Sequence, residues 1–338
     1  MSELTTAIDA YAHVGLPRFG SAREALAVFD RWNIERGVLV LGPGIPDVHA
    51  LADALRVAGE RVRCMGIPFG ATDEQRRELA ETQLTLGISG MRLMPFEVGP
   101  NRAILSMLGE RGLWLYAINP HRDAAVTRSL IEWLEAYPGG RIAAPHFVEP
   151  VTLTQAAGDI GATRELLAHP RFCAILSRHG GASACPYPHN DLKPWVESII
   201  ETVGWDRLMW GSEHPVLYWR NERIDTAMNW LDGLGVMPGP HERERFLYGN
   251  ARRLLFAEPA PSSGKASPPA WLDEQFDRKG TVPMLQRTTL TLPMTDYAVL
   301  LSDYLHRQAD ERLLRFGDYL AGQLSRRARE LEGDADGR

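Results

Sequence analysis

The chain has 338 residues, 44% of them hydrophobic and 24% charged, with a formal net charge of -6. That apolar content fills one large core or two smaller ones, and the mild acidity argues against nucleic acid as the main partner. No run approaches the roughly 18 apolar residues of a membrane span, no basic-then-apolar leader opens the sequence, and Cys64, Cys173 and Cys185 make neither a CxxC pair nor a disulfide framework. A reducing, cytoplasmic setting and a small-molecule substrate are therefore expected, with no membrane and no nucleic acid.

From residue 7 to 256, short apolar runs alternate with longer amphipathic ones. The short runs predict strands at 8–13, 37–41, 62–67, 89–94, 113–118, 142–146, 172–177 and 207–211. Between them, apolar residues at three- and four-residue spacing predict helices at 22–33, 48–58, 73–86, 101–110, 124–137 and 190–203. Ser21 followed by Glu24 reads as a capping box, and Thr72 or Asp73 starts the helix carrying Arg76 and Leu79. Gly37, Gly59, Gly87, Gly112 and Gly139 fall where helices end. About eight strand-then-helix units in series predict parallel strands closed into an α/β (β/α)8 TIM barrel over 1–257. No GxGxxG or GxxxxGK[ST] follows any strand, which removes the nucleotide argument for an open doubly wound sheet.

Beyond the barrel, 258–270 (EPAPSSGKASPPA) reads as a Pro/Ser/Gly linker. Residues 271–338 read as a helical extension, with one helix starting at Thr295, a second over 310–331 and a disordered tail. So small a helical pair buries little by itself. It is expected to pack on the barrel, on a partner protein or on a second copy of the chain, making a homo-oligomer.

In such a barrel, catalytic groups come from the C-terminal ends of the strands and the loops after them. That rule gathers Asp9, Tyr11 and His13 from the first strand, sharing a face by the period of two. It adds Arg92 from the fourth, Asn119 and His121 from the fifth, and His146 from the sixth. Ser177, Arg178 and His179 follow from the seventh, and Ser212, Glu213 and His214 from the eighth. Arg92 is the candidate anion-binding group, because a planar guanidinium grips a carboxylate through two parallel bonds. Asn119, His121, Ser177 and His179 are candidate substrate contacts. Tyr218 and Trp219, soon after Glu213, are candidate pocket walls.

Four segments carry a resemblance: IDAYAHVG, IAAPHF, RLMWGSEHP and YGNARRLLF. In this order they resemble the amidohydrolase-related (amidohydrolase 2 type) hydrolases, whose members read Asp-x-His-x-His, His, Gly-Ser-Asp-x-Pro and Asn-Ala-x-Arg-Leu at the matching places. The pattern is nearest to the branch of sugar-acid and 2-pyrone-4,6-dicarboxylate lactonases, and the family also holds decarboxylases of the aminocarboxymuconate-semialdehyde type. Two departures fall on the chemistry. Tyr11 stands where the family has its first histidine, and Glu213 stands where it usually has aspartate.

The resemblance implies a hydrolase of a small carboxylated lactone, ester or amide. Glu213, His146, His13 and Tyr11 are its expected catalytic residues. Two schemes stay open. One divalent metal, zinc or manganese, would be held by His13, His146 and Glu213, although Tyr11 removes a ligand that such a site wants. Without a metal, Glu213 activates water as general base while His146, His13 and Tyr11 donate hydrogen bonds to the oxyanion. The alternatives are a metal-dependent decarboxylase of an unsaturated or aromatic acid, and a barrel that no longer catalyses and serves as a binding scaffold.

Overall fold

The computed structural model describes residues 5–146, 157–220 and 222–276. The helices expected after Thr295 and the tail lie outside the described residues. Eight strands run in order around one sheet: β1 (Ala7–Val14), β2 (Ile34–Leu41), β3 (Val62–Gly66), β4 (Gly90–Leu93), β5 (Trp114–Ala117), β6 (Arg141–Pro145), β7 (Phe172–Leu176) and β8 (Leu208–Trp210). Every neighbouring pair from β1 to β8 is parallel. Two bonds draw β8 back to β1: the Glu213 N–H donates to the Tyr11 carbonyl at 2.8 Å, and the His13 N–H to that of His214 at 2.7 Å. The expected (β/α)8 barrel is the observed one.

The period of two sorts each strand between two cores. Val38, Val40, Met65, Trp114, Tyr116, Cys173, Ile175 and Met209 fill the barrel interior, and Ala251, Leu255 and Phe256 join them from the helix Asn250–Leu255 and the residue after it. Their alternates Leu39, Leu41, Met91, Leu93, Leu115, Phe172 and Leu208 pack outward against the helices. Helix starts follow the sequence signals. The Ser21 hydroxyl accepts from the Glu24 N–H while Glu24 accepts from the Ser21 N–H, and Thr72 with Gln75 repeats the arrangement. Such a cap is worth about 1 kcal/mol.

β1 departs from simple alternation. Between Asp9 and Ala12 its register against β2 slips by a residue, a β-bulge, so Asp9, Tyr11 and His13 do not share one uninterrupted face. Tyr11 enters the inner core. The Asp9 carboxylate instead accepts from the Tyr11 N–H at 3.0 Å, the Ser212 N–H at 2.9 Å and the Ser212 hydroxyl. Asp9 thus clamps β1 to the segment after β8, and its full burial raises its pKa to about 7.

Candidate active site

Glu213 sits three residues past β8 with φ +57°, in the left-handed region that side chains rarely adopt. His146 (φ +61°), Arg178 (φ +64°) and Asn119 (φ +42°) repeat that conformation just past β6, β7 and β5. Four of the six non-glycine residues with positive φ among those described therefore stand at strand ends on the rim of the barrel where its chemistry is expected.

The Glu213 carboxylate is buried and held on both oxygens. Arg178 Nη1 donates to Oε1 at 3.0 Å and Arg220 Nη2 to Oε2 at 2.7 Å, while His146 Nε2 lies 3.4 Å from Oε1. Burial alone would raise its pKa, but the Arg220 and Arg178 guanidinium groups hold it well below the usual carboxylate range. Glu213 is therefore an anion at any ordinary pH. Arg220 also donates through Nε to Glu222, whose other oxygen lies 3.4 Å from His179 Nε2. The His179 ring in turn stacks on Trp230, with centroids 4.7 Å apart.

His146 and His13 are neutral. Burial drives both pKa values down, to about 3 for His13 and well below 6.5 for His146. His146 Nδ1 is 3.1 Å from the Ser177 hydroxyl, whose oxygen also accepts the His146 backbone N–H. His13 Nδ1 lies 3.2 Å from the Val40 carbonyl, which only accepts. That bond fixes the tautomer, so His13 Nε2 carries a lone pair. The expectation that His13 donates to an oxyanion is corrected accordingly: the neutral ring accepts at Nε2.

Tyr11 meets both histidine rings edge-on, each at 4.9 Å between centroids. Its hydroxyl accepts from Arg92 Nε at 2.9 Å. Arg92 Nη2 lies 3.3 Å from the Met94 sulfur, and Nη1 is buried with no hydrogen-bond partner among the described residues. Arg220 Nη1 is buried in the same condition. Three guanidinium groups thus face two carboxylates around Tyr11, His13 and His146, and the excess charge is positive.

Ser177 and His179 belong to this cluster as supports of His146 and Glu222. Asn119 and His121 stand past the end of β5, where His121 packs 5.6 Å from Trp195. Arg220 and Glu222 escaped the sequence reading because they lie in a loop seven and nine residues past Glu213, where no periodicity points at the pocket. The charged run WRNER after the eighth strand was the available signal.

A divalent ion does not fit this donor set. Both oxygens of Glu213 are committed to cationic partners, and Tyr11 presents a hydroxyl whose pKa burial raises, opposing the phenolate that a metal would need. Among the described residues no group of three or more His, Cys, Asp or Glu is arranged to hold an ion. Of the set named for a metal, His13, His146 and Glu213, the last is instead paired with Arg178 and Arg220 in this structure, and His146 Nε2 lies 3.4 Å from it.

The fold recurs in solved structures. A probable 2-pyrone-4,6-dicarboxylic acid hydrolase from Acinetobacter baumannii, with citric acid bound, superposes with a TM-score of 0.56 at 19% identity, over 74% of this chain and 99% of that one. A Pseudomonas putida protein with the same activity in its name gives 0.55 at 22%, over 75% and 98%. An amidohydrolase from Burkholderia multivorans with bound zinc gives 0.55 at 16%, over 75% and 100%. No curated protein sequence matches. Among the described residues no helix is long and apolar enough to cross a membrane. The sequence model of the family described as Amidohydrolase matches residues 11–257, and the chain belongs to that family.

Proposed function

We propose that this chain hydrolyses a small lactone bearing carboxylate groups, and that its own side chains carry the reaction without a metal. One observation carries the reading: Arg92 and Arg220 each leave a buried Nη1 without a partner among the described residues, in the cluster built around an ionised Glu213. A buried donor left unmet costs about 1–3 kcal/mol, and a substrate carboxylate on each guanidinium repays it with a charge-assisted bond. The names of the Acinetobacter and Pseudomonas neighbours, hydrolases of a pyrone dicarboxylate, agree with a doubly anionic lactone.

The chemistry follows from the donors and acceptors. Water held between the His13 Nε2 lone pair and Glu213 attacks the lactone carbonyl as Glu213 takes its proton. The tetrahedral intermediate then collapses with cleavage of the ring acyl C–O bond, and Glu213 returns that proton to the departing ring oxygen. With both arginines on Glu213, its carboxylate is a weak base. A substrate carboxylate that shares Arg220 weakens that pairing and raises the basicity of Glu213 when it is needed. Tyr11 Oη–H, polarised by Arg92, and His146 Nε2–H are the donors for the developing oxyanion.

The test is a hydrolysis panel, with 2-pyrone-4,6-dicarboxylate, a monocarboxylated lactone and an uncharged lactone, in metal-free buffer with a chelator. The expected result is turnover of the carboxylated lactones only, unchanged by the chelator. Glu213→Gln should lose turnover by on the order of 10²- to 10⁴-fold while circular dichroism stays native. Turnover that requires added zinc or manganese, or full activity in Glu213→Gln, would overturn the proposal.

A further inference from the structure

The family match ends at residue 257, yet the described chain continues to 276 as part of the same packed body. Its course can be followed bond by bond. Arg63, at the start of β3, donates to the Glu258 carbonyl at 2.8 Å, and the Gly264 N–H donates to the Thr85 carbonyl at 2.7 Å. Gly87, at φ +91°, has no room for a side chain there: a Cβ would stand 2.8 Å from the Pro261 carbonyl oxygen. Trp271 Nε1 then donates to Glu78 at 2.7 Å, and Gln275 Nε2 to Gln75 Oε1 at 3.1 Å. The segment climbs the outside of the barrel along the helix Asp73–Thr85, from the entry end of β3 to the rim.

At the rim it buries two side chains. Leu272 and Phe276 are each 4% exposed and share one cluster with Phe19, Ile45, Leu79 and Val216, with Trp219 packed against it. Phe19 is the inner edge of that cluster. Its ring stacks on His13, centroids 4.3 Å apart and planes 10° apart, and also on Trp219 at 5.8 Å. The Arg18 guanidinium lies over both rings, 5.0 Å from Phe19 and 5.4 Å from Trp219. A continuous apolar path therefore joins the extension to a histidine of the candidate active site.

We propose that residues 258–276 are a positioning strap: Leu272 and Phe276 close the cluster that contains Phe19, with Trp219 packed on it, and so support the Phe19 ring that stacks on His13. The proposal rests on the reading of the His13–Glu213 cluster as hydrolytic. A packed interior moves as a body, so removing Phe276 loosens the cluster around Phe19 and weakens that face of the His13 ring, while the Val40 carbonyl and the Tyr11 edge stay in place.

The experiment compares full-length Phe276→Ala, Phe276→Leu and a mild core control, Ile104→Val, by steady-state kinetics on the lactone turned over and by NMR of the His13 ring, assigned with His13→Gln. Phe276→Ala should lower kcat on the order of tenfold or more with little change in KM, and should move the His13 ring protons, which lose the ring current of Phe19. Phe276→Leu should restore most of both, and Ile104→Val should change neither. If Phe276→Ala does not fold, Leu272→Val carries the same readouts. A folded variant with wild-type kcat and unmoved His13 resonances overturns the strap. Should the wild-type chain turn over no lactone, the function proposal fails while the His13 resonances still decide this one.

Discussion

Arg92 is spent on a phenol. Its Nε donates to Tyr11 Oη, the hydroxyl of the residue that departs from the histidine of the resembled pattern. A hydroxyl accepts from a guanidinium where a bound cation would repel it. Tyr11→Phe removes the acceptor and leaves a second buried donor of Arg92 unmet, at a cost of about 1–3 kcal/mol in stability. If Tyr11 also donates to the oxyanion, kcat falls together with the melting temperature. A variant destabilised by that amount with unchanged kcat would confine Tyr11 to a supporting role. Arg92→Lys tests the other partner. A lysine keeps the charge but not the fork, so KM for carboxylated lactones should rise. Equal KM for wild type and Arg92→Lys would remove Arg92 from substrate binding. His13, Arg92, His146 and Glu213 were legible in the sequence because polar residues ending apolar strands have few structural reasons to be there. The donor direction of His13 was not legible, because it depends on the Val40 carbonyl of a neighbouring strand.

At the level of elements, all eight strands lie within a few residues of where the apolar runs put them, because strands buried on both faces leave a composition signal that needs no partner to read. The bulge in β1 had no such signal. It is a mismatch between two strands, and Ala10 and Ala12 fit either face. Its effect reaches the site, since it takes Asp9 out of line with His13 and makes it the clasp to Ser212. Glycine placement shows the same dependence on neighbours. Gly90 opens β4 opposite Trp114, and a Cβ built on it would stand 2.1 Å from the Trp114 carbonyl oxygen, a backbone atom that cannot swing away. Gly90→Ala should therefore spread the β4–β5 pair and destabilise the fold by about 1–3 kcal/mol, read in a chemical denaturation midpoint. Because Arg92 is two residues further along β4, the variant should also raise KM. Wild-type stability in Gly90→Ala would mean that β4 and β5 pair with slack that this packing does not have.

Across the whole molecule, the buried titratable groups set a direction for stability against pH. His13 and His179 have pKa values driven by burial to about 3, His214 to about 4, and His146 well below 6.5. All four are neutral in the folded chain and take up protons near pH 6.5 once unfolded. Their contribution is complete above 6.5 and is lost as pH falls from there towards their folded values. Asp9 works in the opposite sense. With a folded pKa of about 7, it is protonated in the fold while still ionised in the unfolded chain, so it gains stability as pH falls from 7 towards 4. Glu213 takes no part above pH 5, because its pKa is held below the unfolded value and its contribution disappears only in stronger acid. His169 adds to the histidine side and Glu97, its pKa raised by burial, to that of Asp9. The histidines outnumber the acids, so the unfolded chain binds more protons, each worth about 1.4 kcal/mol per pH unit while it titrates. A domain has about 5–15 kcal/mol to lose, so the barrel should unfold between about pH 6 and 4 while its carboxylates are still paired. Denaturation midpoints at pH 7.5, 6.5, 5.5 and 5.0 would measure the slope, and His214→Gln should flatten it by about one proton. Stability that is level or rising from pH 6.5 down to 5 would mean that these histidines are protonated in the fold. His13 Nε2 would then be a donor, and the water-activating role given to it here would pass to Glu213 alone.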